Sequence, residues 1–235
     1  RWSKLATSFP GPRLCAANAG ARLPYDRSRV TPGIVHLGVG AFHRAHIAVY
    51  VDSVLKADPS WGIIGASLRR PDTREALAPQ DFLYTLIERG TSGTAIRVIG
   101  SILDVLDAAT QRSQLIAAMT DPRIRIVSLT VTEKGYCHDP ATGALDARHP
   151  DIVQDLLTPE APASAPGLIV RALELRRAAG CAPFTVLCCD NLPANGMTTA
   201  RVVTAFARLR DPELADYIAR AVAFPSTMVD RIVPA

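Results

Sequence analysis

Residues 33–46 read GIVHLGVGAFHRAH. Ile34, Val35 and Leu37 form a short apolar run of the kind a buried strand needs, and two glycines, Gly38 and Gly40, follow at once. Gly38 permits a tight turn out of the strand, and Gly40 lets backbone N–H groups approach an anion at the start of a following helix. Three readings compete: a nucleotide turn, a metal held by His43 and His46, or a plain corner. The three-glycine form GxGxxG would put a glycine where His43 stands, and the small residue is displaced to Ala45. His43 and His46 lie three apart and would share a helix face, but no third ligand stands nearby, and packing or capping explains such a pair as well. Arg44 suits a charge-assisted contact to a phosphate, and equally a solvated helix position.

Working outward, β-rich runs alternate with helical stretches. GIVHLGVG (33–40) reads as a strand, and a helix is expected from about Ala45 to Lys56. WGIIGASL (61–68) reads as a second strand. LYTLIE (83–88) and IRVIGSI (96–102) read as a hairpin around Gly90 and Gly93. A helix at 111–121 precedes RIRIVSLTV (123–131), the strongest strand pattern in the chain. EKGYCHDPATGALDARHP reads as loop. Pro159, Pro162 and Pro166 suggest a linker before a helix at 167–180 that Gly180 ends. FTVLCCD (184–190) is another buried strand. Helices at 197–210 and 212–222 follow, the second capped by Asp211 with Pro212 in its first turn. The pattern predicts an α/β fold with a doubly wound, mostly parallel Rossmann-like sheet and extra strands. Such sheets bind ligands at the carboxyl ends of their strands. Those ends are Gly38–Gly40, Leu68–Asp72, Thr130–Tyr136 and Asp190–Asn195, all rich in glycine or polar residues.

Composition narrows the class. The chain has 235 residues, 48% hydrophobic and 20% charged, which suits one large globular domain. No apolar run approaches the ~18 residues of a membrane span. The net charge of +4 comes from scattered arginines without interleaved aromatics, so a nucleic-acid partner is not expected. The five cysteines show no ligand spacing, which argues against zinc and for free thiols in a reducing compartment. Residues 1–30 read as a loose N-terminal arm, with an organelle presequence the other reading, and residues 31–235 as the dinucleotide-binding domain.

Each strand end carries a candidate with a plainer alternative. A ribose-binding acid belongs just beyond the second strand. Asp58 has the usual spacing but precedes that strand; Asp72 follows it, although PDTRE also suits a turn. Arg69, Arg70 and Arg74 would favour a 2′-phosphate, which leaves NAD and NADP both open. Thr132 would pass beside a cofactor. Lys134 invites a reading as general base or as a solvated turn residue. The asparagines of DNLPANG can donate to a developing alkoxide, and are also ordinary turn formers.

Taken together, IVHLGVGAFHRAH, QDFLYTL, RIRIVSLTVTEKGYC, FTVLCCDNLPANG and FPSTMVDRIVP resemble the long-chain polyol dehydrogenase family, which includes mannitol 2-dehydrogenase and mannonate oxidoreductase (fructuronate reductase). TVTEKGYCHDPATG and FPSTMVDRIVPA look closer to the mannonate branch. The resemblance implies a metal-independent, NAD(P)-dependent oxidoreductase acting on a secondary alcohol or ketone of a polyol or sugar acid. It is expected to be cytoplasmic and monomeric, with no membrane or nucleic-acid partner. The resemblance would place the cofactor against Gly38, Val39, Gly40, Ala41, Phe42, His43 and Arg44, with Asp72 at the adenosine ribose and Thr132 and Glu133 alongside. Pro71 stands where some members carry a second acid. Asn191 would bond the reacting oxygen and Asp230 the substrate hydroxyls. The family's general acid/base is a lysine on a later helical domain, downstream of VDRI, and this chain ends at Ala235 just past that motif. The resemblance therefore implies the cofactor half of an enzyme, inactive alone. The rival reading is a nucleotide-binding module without catalysis.

Overall fold

The computed structural model describes residues 13–91, 93–139 and 141–229. Among them, seven strands run β1 Pro32–Leu37, β2 Gly62–Ser67, β3 Tyr84–Gly90, β4 Gly93–Ile99, β5 Ile102–Asp107, β6 Ile126–Leu129 and β7 Thr185–Cys188. Five form one sheet in the order β5-β2-β1-β6-β7, and β3 pairs with β4 in a separate antiparallel hairpin. Every pairing in the larger sheet is parallel. Leu37 at the end of β1 lies level with Ala66 of β2 and Leu129 of β6. The chain thus builds outward from β1 through β2 to β5, then returns to lay β6 on the other side of β1. That reversal puts a topological switch point at the carboxyl ends of β1 and β6, where ligands of doubly wound sheets sit.

Helices α1 Ala16–Ala19, α2 Ala41–Ala45, α3 Ile47–Val54, α4 Asp72–Leu77, α5 Arg112–Thr120, α6 Pro150–Leu157, α7 Ala165–Ala178, α8 Asn195–Arg210 and α9 Pro212–Ala221 accompany the strands. Side chains alternate across β1, so the two faces make two cores. Val35 and Leu37 join Val127, Leu173, Val186 and Phe206 on one face. Ile34 joins Ala48, Val49, Ile63 and Ile102 on the other. With both faces covered, strand residues 33–37 are all buried, which is why GIVHL reads as a continuous run.

Several expectations need correction. The run IRVIGSI is not one strand: β4 ends at Ile99, and β5 opens at Ile102. Between them the Gly100 amide donates to buried Asp52 (2.8 Å) and the Ser101 hydroxyl to the Ala48 carbonyl (2.6 Å). The helix expected over 45–56 is confined to α3, and the short α2 precedes it, the two parted by His46, whose backbone (φ −129°, ψ −77°) leaves the helical region. Helices α4 and α6 were not foreseen. Pro166 is not in a linker but in the first turn of α7, behind the Ser164 cap that accepts the Gly167 amide (3.0 Å). Gly180, by contrast, has the positive φ (+67°) expected past a helix end.

Residues 13–30 are not loose. Arg27 donates to the carbonyls of Asp81 (2.8 Å), Gly100 (3.0 Å) and Ile102 (2.9 Å). The Tyr25 hydroxyl donates to Asp52, and Leu14 and Leu23 pack with Ala19 on Leu83 and Val98. All five cysteines are free. Among the described residues no helix is long and apolar enough to cross a membrane.

Candidate cofactor site

The turn after β1 is built on what its glycines leave out. Gly38 has φ +96°, and a Cβ there would run into the Thr130 carbonyl of the neighbouring β6 end. Only glycine fits that conformation and that approach. Its amide donates to the Ala66 carbonyl (2.8 Å), tying the turn to β2. Gly40 is different: its backbone is extended (φ −92°, ψ −174°) and a Cβ would meet no atom within 4 Å. The space above Gly40 is open, and the first amides of α2 beside it lack intrahelical acceptors by geometry. Open ground bordered by backbone donors fits the diphosphate of a dinucleotide.

Val39 is buried against Gly65 of β2, and its carbonyl accepts the Thr73 hydroxyl (3.1 Å) and Arg44 Nη1 (3.3 Å). The Arg44 guanidinium therefore lies half-buried beside the turn, with burial holding its pKa below the usual arginine value. The Tyr84 hydroxyl fixes the Arg44 carbonyl. Ala41 is exposed and Phe42 half-buried, its ring edge-on to His46 at 4.8 Å. The two histidines part company. His43 is fully buried and stacks on His36, with ring centroids 3.6 Å apart, whereas His46 turns to Phe42. His43 can therefore meet a ligand in the open space only through its backbone. The described residues contain one grouping of three metal-type ligands, Cys137, His149 and Asp151, and it does not include this pair.

At the second strand, the two acids separate cleanly. Asp58 caps the turn Pro59–Trp61 at the amino end of β2, accepting the Ser60 amide (2.9 Å) and hydroxyl (2.6 Å). Asp72 opens α4 at the carboxyl end, exposed and ion-paired with Arg70 (2.9 Å). Arg74 is committed elsewhere, to Asp104 (2.8 Å) and the Val105 carbonyl of β5.

The ends of β6 and β7 are joined by Asp190, a residue that sequence reasoning placed in a motif without assigning it work. Its carboxylate accepts the amides of Val131 (2.9 Å) and Thr132 (3.1 Å) and the Tyr136 hydroxyl (2.8 Å). Burial raises its pKa, and these three hydrogen bonds oppose the rise. The clamp holds Thr132 at φ +66°, a strained value for a β-branched residue. Thr132, Glu133 and Lys134 are all exposed at this edge.

The asparagines of DNLPANG also separate. Asn195 is buried: its side-chain amide donates to the carbonyls of Asp190 (3.1 Å) and Thr227 (3.0 Å), and its oxygen accepts the Thr227 amide (2.9 Å). The Thr227 hydroxyl in turn donates to the Cys188 carbonyl (2.7 Å), so the FPST segment is stitched to the end of β7. Asn191 stays exposed and takes part in none of these bonds. Asp230 lies outside the described residues. Beside Asn191's strand end, Phe42, His46, Tyr50, Cys189, Thr227 and Met228 line a cleft of about 270 Å³.

A parallel sheet in this order, with a glycine turn closing its first strand at the switch point, defines a Rossmann-type fold. The mannitol dehydrogenase Rossmann domain matches residues 32–235, and the chain belongs to that family. It is 53% identical over 218 residues to a mannitol 2-dehydrogenase of Cereibacter sphaeroides, covering 91% of this chain and 46% of that protein. It is 48% identical over 220 residues to a D-mannonate oxidoreductase of Escherichia coli K12, covering 92% and 45%. Other mannitol 2-dehydrogenases, such as that of Pyricularia oryzae at 46% identity over 238 residues, are less similar than the mannonate relative, so the identities do not separate the two branches. A substrate-free D-sorbitol dehydrogenase superposes with TM-score 0.91 at 40% identity, covering 95% of this chain and 48% of that one. The Pseudomonas fluorescens mannitol 2-dehydrogenase, solved with NAD and D-mannitol, superposes with TM-score 0.90 at 44% identity and the same coverage. The chain spans about half the length of these relatives.

Proposed function

We propose that this domain binds a nicotinamide dinucleotide and serves hydride transfer to or from a secondary alcohol or ketone of a polyol or sugar acid. The observation that carries the reading is the Gly38–Gly40 turn, with open space over Gly40 at the switch point of the sheet. The bound nicotinamide supplies the hydride acceptor or donor. The backbone of Gly38–His43 and the Arg44 guanidinium hold the diphosphate; Thr132 and Glu133 border the cofactor from the β6 end. Exposed Asn191 donates its amide hydrogen to the reacting oxygen, stabilising charge as it develops, and Asp230 accepts substrate hydroxyls. Exchange of the alcohol proton falls to the lysine of the family's helical domain.

NAD is the preferred form. Asp72 would accept hydrogen bonds from the adenosine ribose and repel a 2′-phosphate, while Arg70 is already paired with Asp72 and Arg74 with Asp104. The substrate is mannitol or fructose, or the mannonate–fructuronate pair; the named relatives support both. Five free cysteines suit the cytoplasm, and a monomer is the expected state, checked by gel filtration.

The test has two arms. Fluorescence titration of this chain with NADH and NADPH should show binding, tighter for NADH. The full-length protein should change absorbance at 340 nm with at least one of the four substrates. Binding without turnover in the full-length protein would establish the non-catalytic module instead.

A further inference from the structure

The turn lacks its third glycine, and a pair of histidine rings stands where that glycine would bring helix and strand together. His36 stands one residue before the carboxyl end of β1 and is fully buried. Its Nδ1 lies 2.8 Å from the Ser128 hydroxyl, and its Nε2 lies 2.8 Å from the Thr130 hydroxyl and 3.2 Å from the Gly38 carbonyl. The Thr130 hydroxyl itself donates to the Gly38 carbonyl. Its oxygen is then free to accept, so the proton of His36 belongs on Nε2, and Nδ1 accepts from Ser128. His43 lies flat on this ring, with 16° between the planes. Both of its nitrogens are buried without a hydrogen-bond partner. A buried polar atom without a partner is costly and calls for a reason.

We infer that the stacked His36–His43 pair positions the nucleotide turn in place of the third glycine: His36 fixes the Gly38 carbonyl from below, and His43 spaces α2 from β1 by the thickness of a ring. This rests on the cofactor reading above. In a three-glycine turn the third glycine lets the helix lie directly on the strand. Here two flat rings, stacked 3.6 Å apart, lie between β1 and α2. Gly38 is thereby held from two sides, by the Ala66 carbonyl on its amide and by Thr130 and His36 on its carbonyl. The direction in which Val39 and Gly40 leave the turn follows from that grip. His43 contributes shape and stacking, since neither of its nitrogens bonds to anything.

The shape argument makes His43→Phe the conservative variant and His43→Ala the disruptive one; His36→Leu removes the grip on Gly38. For this chain, NADH affinity read by fluorescence should fall ~10-fold or more in His43→Ala and His36→Leu, equivalent to about 1.4 kcal/mol, and stay within ~3-fold in His43→Phe. Amide exchange of residues 38–42 without cofactor should quicken in His43→Ala and not in His43→Phe. Unchanged exchange and affinity in His43→Ala would overturn the inference, as would a Phe variant no better than the Ala variant. If exchange behaves as expected but the wild-type chain binds neither NADH nor NADPH, the cofactor reading falls and the support of the turn by the ring pair stands.

Discussion

The carboxyl end of β1 and the joined ends of β6 and β7 meet at one switch point, yet they are shaped by opposite means. The β1 turn works by omission: Gly38 leaves room for the Thr130 carbonyl and Gly40 leaves room above the helix start. The β6–β7 junction works by addition, with one carboxylate, Asp190, gathering three donors from the other strand end. At Gly38 the fold tolerates no side chain, whereas a junction built on one side chain depends on that residue alone. The two ends should therefore break differently.

The largest expected effect is Gly38→Val. It forces a β-branched residue to φ +96° and onto the Thr130 carbonyl, and should cost about 3–5 kcal/mol of stability and abolish NADH binding, read by chemical denaturation and fluorescence. Next comes Asp190→Ala, which strands two amides and a tyrosine hydroxyl. A loss of about 2–4 kcal/mol is expected, lowering Tm by roughly 4–16 °C for a domain of this size; Asp190→Glu should recover part of it.

Acid should weaken the β1 side selectively. Burial holds His36 down to about 3, and burial together with His36 and Arg44 holds His43 well below the usual histidine value. The unfolded chain takes up these protons below about pH 6.5, while the folded chain refuses them. Stability is then full above that pH and falls as pH drops, by about 1.4 kcal/mol per pH unit for each ring. Denaturation between pH 6.5 and 4.5 should show this slope in the wild type and a slope smaller by one proton in His43→Phe.

Gly40→Ala sharpens the contrast within the turn itself. Nothing in the protein meets the added methyl, so stability should stay within about 0.5 kcal/mol while NADH affinity falls. The smallest effect is Asp72→Asn. Losing this exposed charge should shift the NADH-to-NADPH preference about 3- to 5-fold towards NADPH, on the scale of about 1 kcal/mol for a surface charge, read by paired titrations.

The same contrast explains what was legible in the sequence. The β1 turn announced itself because its signals are local: an apolar run, two glycines and a helix within fourteen residues. The ends of all four strands named in advance proved to lie on the same edge of the sheet. Strand β5 escaped because Asp104 and Asp107 interrupt its apolar pattern, and Asp104 is there to receive Arg74. The work of His36 was invisible because its partners Ser128 and Thr130 lie 92 and 94 residues away. Asn191 and Asn195 looked alike until Thr227, 32 residues downstream of the second, identified it as the structural one. Long-range hydrogen bonds assign such residues, and a local reading cannot supply them.

Arg27 sets a schedule for synthesis. Its guanidinium closes on carbonyls as far as Ile102, 75 residues later in the chain. On a ribosome adding about 5–20 residues per second, that segment would wait roughly 4–15 s for its acceptors to be made. Until Leu83 and Val98 are made, the hydrophobic patch of Leu14 and Leu23 has nothing to cover it. A nascent chain stalled before Leu83 would thus carry this patch uncovered, a ready handle for a chaperone or a protease, and only the arrival of the β3–β4 hairpin would take it away.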